Sequence, residues 1–206
     1  GLLQVDETGS ILFGMALHAR LYGGEPFIRS VWDSVTRAAD WLVTHMDDET
    51  GLACEAVDLW EERTERQIYS SGAVYAGLKA AAEMAEAIGE AQAAAHYRQA
   101  ADTLRTAIMQ EGVRDGRFLR GRFLQVSEAQ YAQALFQGRE GRVRTGPKGR
   151  PIYEVDEDPI SDSSLLGMSV PFGVVPATDS VMTTTADRLV EELWVAPAGG
   201  MKRYVD

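Results

Sequence analysis

Along residues 25–46 the apolar side chains fall at Ile28, Val31, Val35, Ala39, Leu42 and Met46. Gaps of three and four put them on one stripe of an α-helix, whereas a strand changes face at every residue. The same rhythm recurs. Residues 8–22 turn Ile11, Leu12, Met15 and Leu21 inward, and Gly23-Gly24 supplies a stop. Residues 70–88 carry Val74, Leu78, Ala81, Met84 and Ile88, closed by Gly89. Residues 91–109 carry Ala94, Tyr97, Ala101, Leu104 and Ile108. Both of these segments are dense in alanine, so neighbouring helices can approach closely. Shorter helices are expected at 127–137, with Ser127 as N-cap, at 161–169 and at 178–194.

Little of the remainder reads as strand. RDGRFLRGRFLQV (114–126) alternates basic and apolar residues around glycines, as a short hairpin or loop would. Residues 139–158 form a polar loop excursion with Gly and Pro inside. No repeat of fixed length carries a shared signature, which weakens a solenoid reading. The expected class is all-α, a single domain over 1–206 built of antiparallel helix pairs.

The chain has 31 acidic against 20 basic residues, a net charge of −11. That balance opposes binding to nucleic acid or to an anionic membrane surface, both of which need a basic face. No apolar run approaches the ~18 residues of a membrane span. Cys54 is the single cysteine, and His18, His45 and His96 lack metal-ligand spacing. No metal or cofactor is expected. The opening GLLQVDETG has no basic-then-apolar leader, and the expected compartment is cytoplasmic. It also starts without Met, and the chain reads as a fragment.

The stretch DLWEE (58–62) sets an aromatic ring against two carboxylates on a loop between helices. Such a loop is by default a solvated acidic patch. A sugar site, however, needs these same parts. It needs an aromatic plate for the pyranose face, carboxylates for hydroxyls, and one carboxyl kept protonated by shelter from water. A sheltered glutamate of that kind can protonate a departing glycosidic oxygen.

Several blocks, in order, resemble glycoside hydrolase family 15, the bacterial glucoamylase and glucodextranase group. They are QVDETGSILFGMALH (4–18), TGLACEAVDLWEER (50–63) with YSSGAVYAGLKAAAEMA (69–85), RFLRG (117–121), DSSLLGMSVPFGVV (162–175) and GGMKRYVD (199–206). The resemblance implies part of an (α/α)6 barrel, truncated at both ends, and an enzyme that removes glucose from non-reducing ends of α-glucosides with inversion. By matching motif, Glu61 would be the general acid. Trp60 would line the subsite, Glu62 would bind sugar hydroxyls, and Asp58 would support the loop or bind sugar. Arg203 would bind sugar, with Tyr204 beside it. The partner is an α-glucan or small α-glucoside. The second carboxylate of the family follows the Arg-Tyr block, beyond this sequence, so these residues alone would be inactive and prone to self-associate.

The sequence departs from the family at ACEAV, where Pro and Ser are expected, and at TERQ, where Gly and His are expected. Two rival readings stay open: a helical scaffold without chemistry, and another α/α-barrel carbohydrate enzyme such as a trehalase-like hydrolase or an epimerase.

Overall fold

The computed structural model describes residues 3–57 and 59–204. Six α-helices carry most of it: α1 Val5–His18, α2 Gly24–Thr44, α3 Ile68–Ala87, α4 Ala91–Glu111, α5 Glu128–Phe136 and α6 Ser180–Leu193. Nine short strands lie among them: β1 Ala56–Val57, β2 Thr64–Gln67, β3 Val113–Arg114, β4 Arg117–Phe118, β5 Gly121–Val126, β6 Gly141–Thr145, β7 Pro151–Asp158, β8 Trp194–Val195 and β9 Gly200–Met201. Among the described residues no helix is long and apolar enough to cross a membrane.

The core is built around α3. Leu78, Met84, Val74 and most of its alanines are buried, and only a narrow strip through Lys79, Glu83 and Glu86 meets solvent. It packs between α1 and α4, and the small residues set the spacing. A Cβ on Gly9 of α1 would lie 2.5 Å from the Ala73 carbonyl oxygen, and one on Gly77 would lie 2.7 Å from the Gly9 Cα. The two helix backbones therefore touch. Since backbone cannot rotate aside as a side chain can, Gly77→Ala should cost about 3 kcal/mol of overpacking. A urea titration of native and variant protein measures it; a difference below about 0.5 kcal/mol would mean that the helices slide apart freely.

This contact corrects the inward set expected for α1. Ile11 and Leu21 are 58% and 59% exposed, and the buried stripe runs through Val5, Gly9, Leu12 and Ala16. The face with the smaller residues wins because only it admits α3. The chain also does not stop cleanly at Gly23-Gly24. Residues Ala19–Gly23 widen into a π-helical turn, Gly24 takes a φ of +55°, and α2 follows at once. In α2, Ile28, Val35, Ala39 and Leu42 are buried as the spacing predicts. Ser127 caps α5 as expected, accepting from the Gln130 N–H while the Gln130 side chain accepts from the Ser127 N–H. The segment expected as a helix at 161–169 is a 3₁₀ stretch, Ser163–Met168.

The all-α expectation needs a larger correction. An antiparallel sheet runs in the order β1-β2-β5-β7-β6, and two small ribbons pair β3 with β4 and β8 with β9. The expected polar loop at 139–158 is mostly a hairpin, β6 against β7, turned through Pro147–Gly149 with Lys148 and Gly149 at positive φ. Residues 114–126, expected as a short hairpin or loop, span most of the β3–β4 ribbon and all of β5, whereas β2 and β7 carry no strand signal because they bury ions. Glu65, Arg66, Gln67 and Glu154 are all buried, three of them consecutive in β2, so burial there follows neither the apolar nor the alternating pattern that marks a strand.

Those ions are paired. The Glu154 carboxylate receives Arg142 at 2.7 Å, Arg144 at 2.6 Å and Arg66 at 3.4 Å. Arg66 also meets Asp47 at 2.9 Å, and Arg144 meets Glu55. The Phe123 ring lies beneath the guanidinium of Arg142, 3.8 Å from ring centre to Cζ. The cluster fastens the segment after α2 to the hairpin and holds β2 in place.

Candidate active site

The DLWEE motif is the connection between β1 and β2. Ala56 pairs with Glu65 and Val57 with Thr64, and residues 59–63 belong to the turn of the hairpin. β2 then runs directly into α3. The loop expected between two helices is thus mounted on a sheet edge, with its exit strand buried. Asp58 lies outside the described residues. Glu61 adopts φ +61°, a left-handed conformation that a glutamate takes only at a cost. Non-glycine residues held this way gather at functional loops.

The loop is pinned on both sides of Glu61. The Trp60 indole Nε1–H donates to Asp162 Oδ2 at 2.9 Å. Arg63 donates to Asp158 Oδ2 at 2.9 Å. Both aspartates are about 1% exposed, and they bracket one short segment between β7 and the 3₁₀ stretch. Asp162 also accepts from the Ser164 N–H, so it caps that stretch as well. Behind it, Arg120 reaches Asp162 at 3.1 Å with its own guanidinium buried. The backbone of Arg120 is committed too: its N–H donates to the Asp158 carbonyl and its carbonyl accepts from the Ile68 N–H. The neighbouring Gly121 leaves room for the buried Glu65, whose carboxylate would lie 2.3 Å from a Cβ there.

The other end of the chain closes against this loop. Asp162 bridges Tyr204, and the Ser163 N–H donates to the Arg203 carbonyl at 2.7 Å. Tyr204 donates its hydroxyl to Glu62, and Arg203 stands 3.6 Å from the same carboxylate. The Arg203 guanidinium lies over the Trp60 ring at 5.1 Å, and that of Arg120 over the Tyr204 ring at 4.8 Å. The hydrogen bond to Glu62, then partial burial and the charge of Glu62, push the Tyr204 hydroxyl above its usual range, against Arg203 and Arg120. It remains a neutral donor.

Trp60, Glu62, Arg203 and Tyr204, named from the sequence, thus meet across more than 140 positions, with Glu61 at the loop crest. The shelter expected for Glu61 is not found among the described residues. Glu61 is exposed, and the indole turns its N–H away toward Asp162. On sequence alone, Asp158, Asp162, Arg120 and Arg63 have no place in the site. Their signal is faint: an Arg between Leu and Gly in a stretch that alternates basic and apolar residues, and an Asp preceding Ser-Ser at a helix start.

The profile of glycosyl hydrolases family 15 matches residues 1–195. The chain belongs to this family. A family 15 identity agrees with the resemblance of the motifs above. An uncharacterized glycosyl hydrolase of Methanocaldococcus jannaschii is 28% identical over 202 residues, which is 98% of this chain and 27% of that protein. A solved wild-type glycosidase superposes with a TM-score of 0.70 at 25% identity, over 98% of this chain and 43% of its own. A bacterial glucoamylase solved with acarbose superposes with a TM-score of 0.66 at 20% identity, over 98% of this chain and 27% of its own. The family 15 chain described here therefore spans between about a quarter and under half the length of these relatives.

Proposed function

We propose that the complete protein carrying these residues is a glycosidase of glucoamylase type. It would release glucose from non-reducing ends of α-glucosides with inversion, and its helices would be consecutive members of an (α/α)6 barrel. One observation carries the reading: the Trp60-Glu61-Glu62 hairpin meets Arg203 and Tyr204, the two motifs that the resemblance pairs in one sugar site.

In this reading Trp60 is the aromatic plate, and a pyranose seated on it covers Glu61. Burying a carboxyl against an apolar ring disfavours its charge, so Glu61 holds its proton for the leaving oxygen. Glu62, Arg203 and Tyr204 exchange their mutual polar contacts for sugar hydroxyls, and Asp58 supports the loop or binds sugar. The base is a second carboxylate about 6.5–9.5 Å from the acid with water between them. It is proposed to lie outside these 206 residues. No cofactor enters the chemistry.

The test is hydrolysis of maltose, isomaltose, starch and trehalose by the complete protein, with the product anomer read by NMR before it mutarotates. β-Glucose from an α-glucoside supports the reading. α-Glucose would assign a retaining mechanism, and no hydrolysis of any glycoside would leave a helical scaffold as the better description.

A further inference from the structure

The two acids that hold the Trp60 hairpin have no role in the chemistry above, yet they are among the most buried charges of the chain. Asp162 is 1% exposed, and its Oδ2 serves both the Trp60 indole N–H at 2.9 Å and the Arg120 guanidinium at 3.1 Å. An indole N–H bound to a carboxylate makes a charge-assisted bond, which is short and directional. It fixes the rotation of the ring about its side-chain bonds, and hence the plane on which a pyranose would lie. Arg120 supplies the opposite charge that a carboxylate buried to this extent requires. The same guanidinium covers the Tyr204 ring, so one buried pair contacts both the Trp60 plate and Tyr204.

The arrangement goes beyond simple anchoring. If only loop stability were at stake, the Arg63 to Asp158 pair on the far side of Glu61 would serve. Asp162 acts on the ring itself, and through residue 60 on the left-handed step at Glu61. We propose that Asp162, backed by Arg120, is a positioning residue: it sets the orientation of the Trp60 ring and so the place of the Glu61 carboxyl relative to a bound glycoside. This rests on the reading of Glu61 as the acid, and it adds a dependence of the acid on a residue about a hundred positions away.

The experiment is a double-mutant cycle in the complete protein with whichever glycoside the native enzyme hydrolyses. The variants are Asp162→Ala, Trp60→Phe and the pair together, with Glu61→Gln alongside. A misplacement of about 1 Å at a reacting group costs about 10²-fold. Asp162→Ala and Trp60→Phe should each lower kcat/KM by about that factor. Because both variants remove the indole–carboxylate bond, the pair should lose much less than the roughly 10⁴-fold to which independent effects would multiply. A loss of two-fold or less in Asp162→Ala, or fully multiplicative losses, would overturn the proposal. Should Asp162→Ala fail to fold by circular dichroism, Asp162→Asn keeps the volume and enters the same cycle. Full activity in Glu61→Gln would instead overturn the acid assignment on which this rests. An inactive Glu61→Gln with an uncoupled cycle sinks the positioning role alone.

Discussion

Replacing Glu61 with Gln is expected to lower kcat for glycoside hydrolysis by about 10³-fold while KM moves little. The amide has the same size and can still accept a hydrogen bond, but it has no acidic proton to give. An interaction used only in the transition state lowers kcat and kcat/KM together. The deficit should shrink with α-glucosyl fluoride, since fluoride departs with little protonation. Equal losses on both substrates would make Glu61 a binding group, and full activity on both would return the hairpin to surface decoration. Stability should move the other way. Glu61 sits at φ +61°, so Glu61→Gly removes a left-handed strain of order 1 kcal/mol and should raise the melting temperature as activity disappears. A gain in stability at the crest of an inactive loop is what a functional residue held in strain leaves behind.

The second large effect is expected at Glu154, in the sheet that carries the hairpin. Burial pushes its carboxyl up, but hydrogen bonds from Arg144 and Arg142 and the charges of Arg144 and Arg66 outweigh burial and hold it below the usual carboxylate range. Asp47 is held low as well: burial raises it, while the Thr50 N–H, Arg66 and the Thr50 hydroxyl lower it further. Both folded-state values lie below the unfolded ones. Their contribution is therefore complete above pH ~4.5 and is lost as pH falls through the folded values. Glu154→Gln leaves three guanidinium groups facing one another without their central anion. Removing one member of a buried ionic cluster costs about 3 kcal/mol or more. Urea titrations at pH 7 and pH 4 check both statements. The native protein should weaken between them, and the variant should be weaker at pH 7 and change less. A variant as stable as the native protein at pH 7 would show that water already screens the cluster.

Helix positions were legible because burial in α2 and α4 uses apolar residues at three and four, and the expected buried residues of both are largely those observed. Apart from the 114–126 stretch, the sheet is not legible, because its buried positions include Arg66, Gln67 and Glu154, which read as surface until their partners are known. The face of α1 was misjudged for a related reason. Ile11 and Leu21 are the larger apolar residues, yet Gly9 decides which side meets α3, and the glycine earns its place only when the facing backbone is seen.

At the site, chemistry and placement divide in the same way. Residue types by themselves point to Trp60, Glu61 and Glu62, because a plate, an acid and carboxylates for hydroxyls are what a sugar needs, whereas Arg203 and Tyr204 enter only through the resemblance to family 15. That these belong together is a matter of motif order, which the chain carries in one dimension. Their orientation depends on Asp162, Arg120, Arg63 and Asp158, whose partners are separated by some 40 to 100 positions. Local sequence set the helices, since their hydrogen bonds close within four residues. Only the tertiary structure decided the hairpin, its left-handed crest and the ring it presents, because a buried ion pair has no periodicity and acquires meaning only when the fold brings both charges to one point.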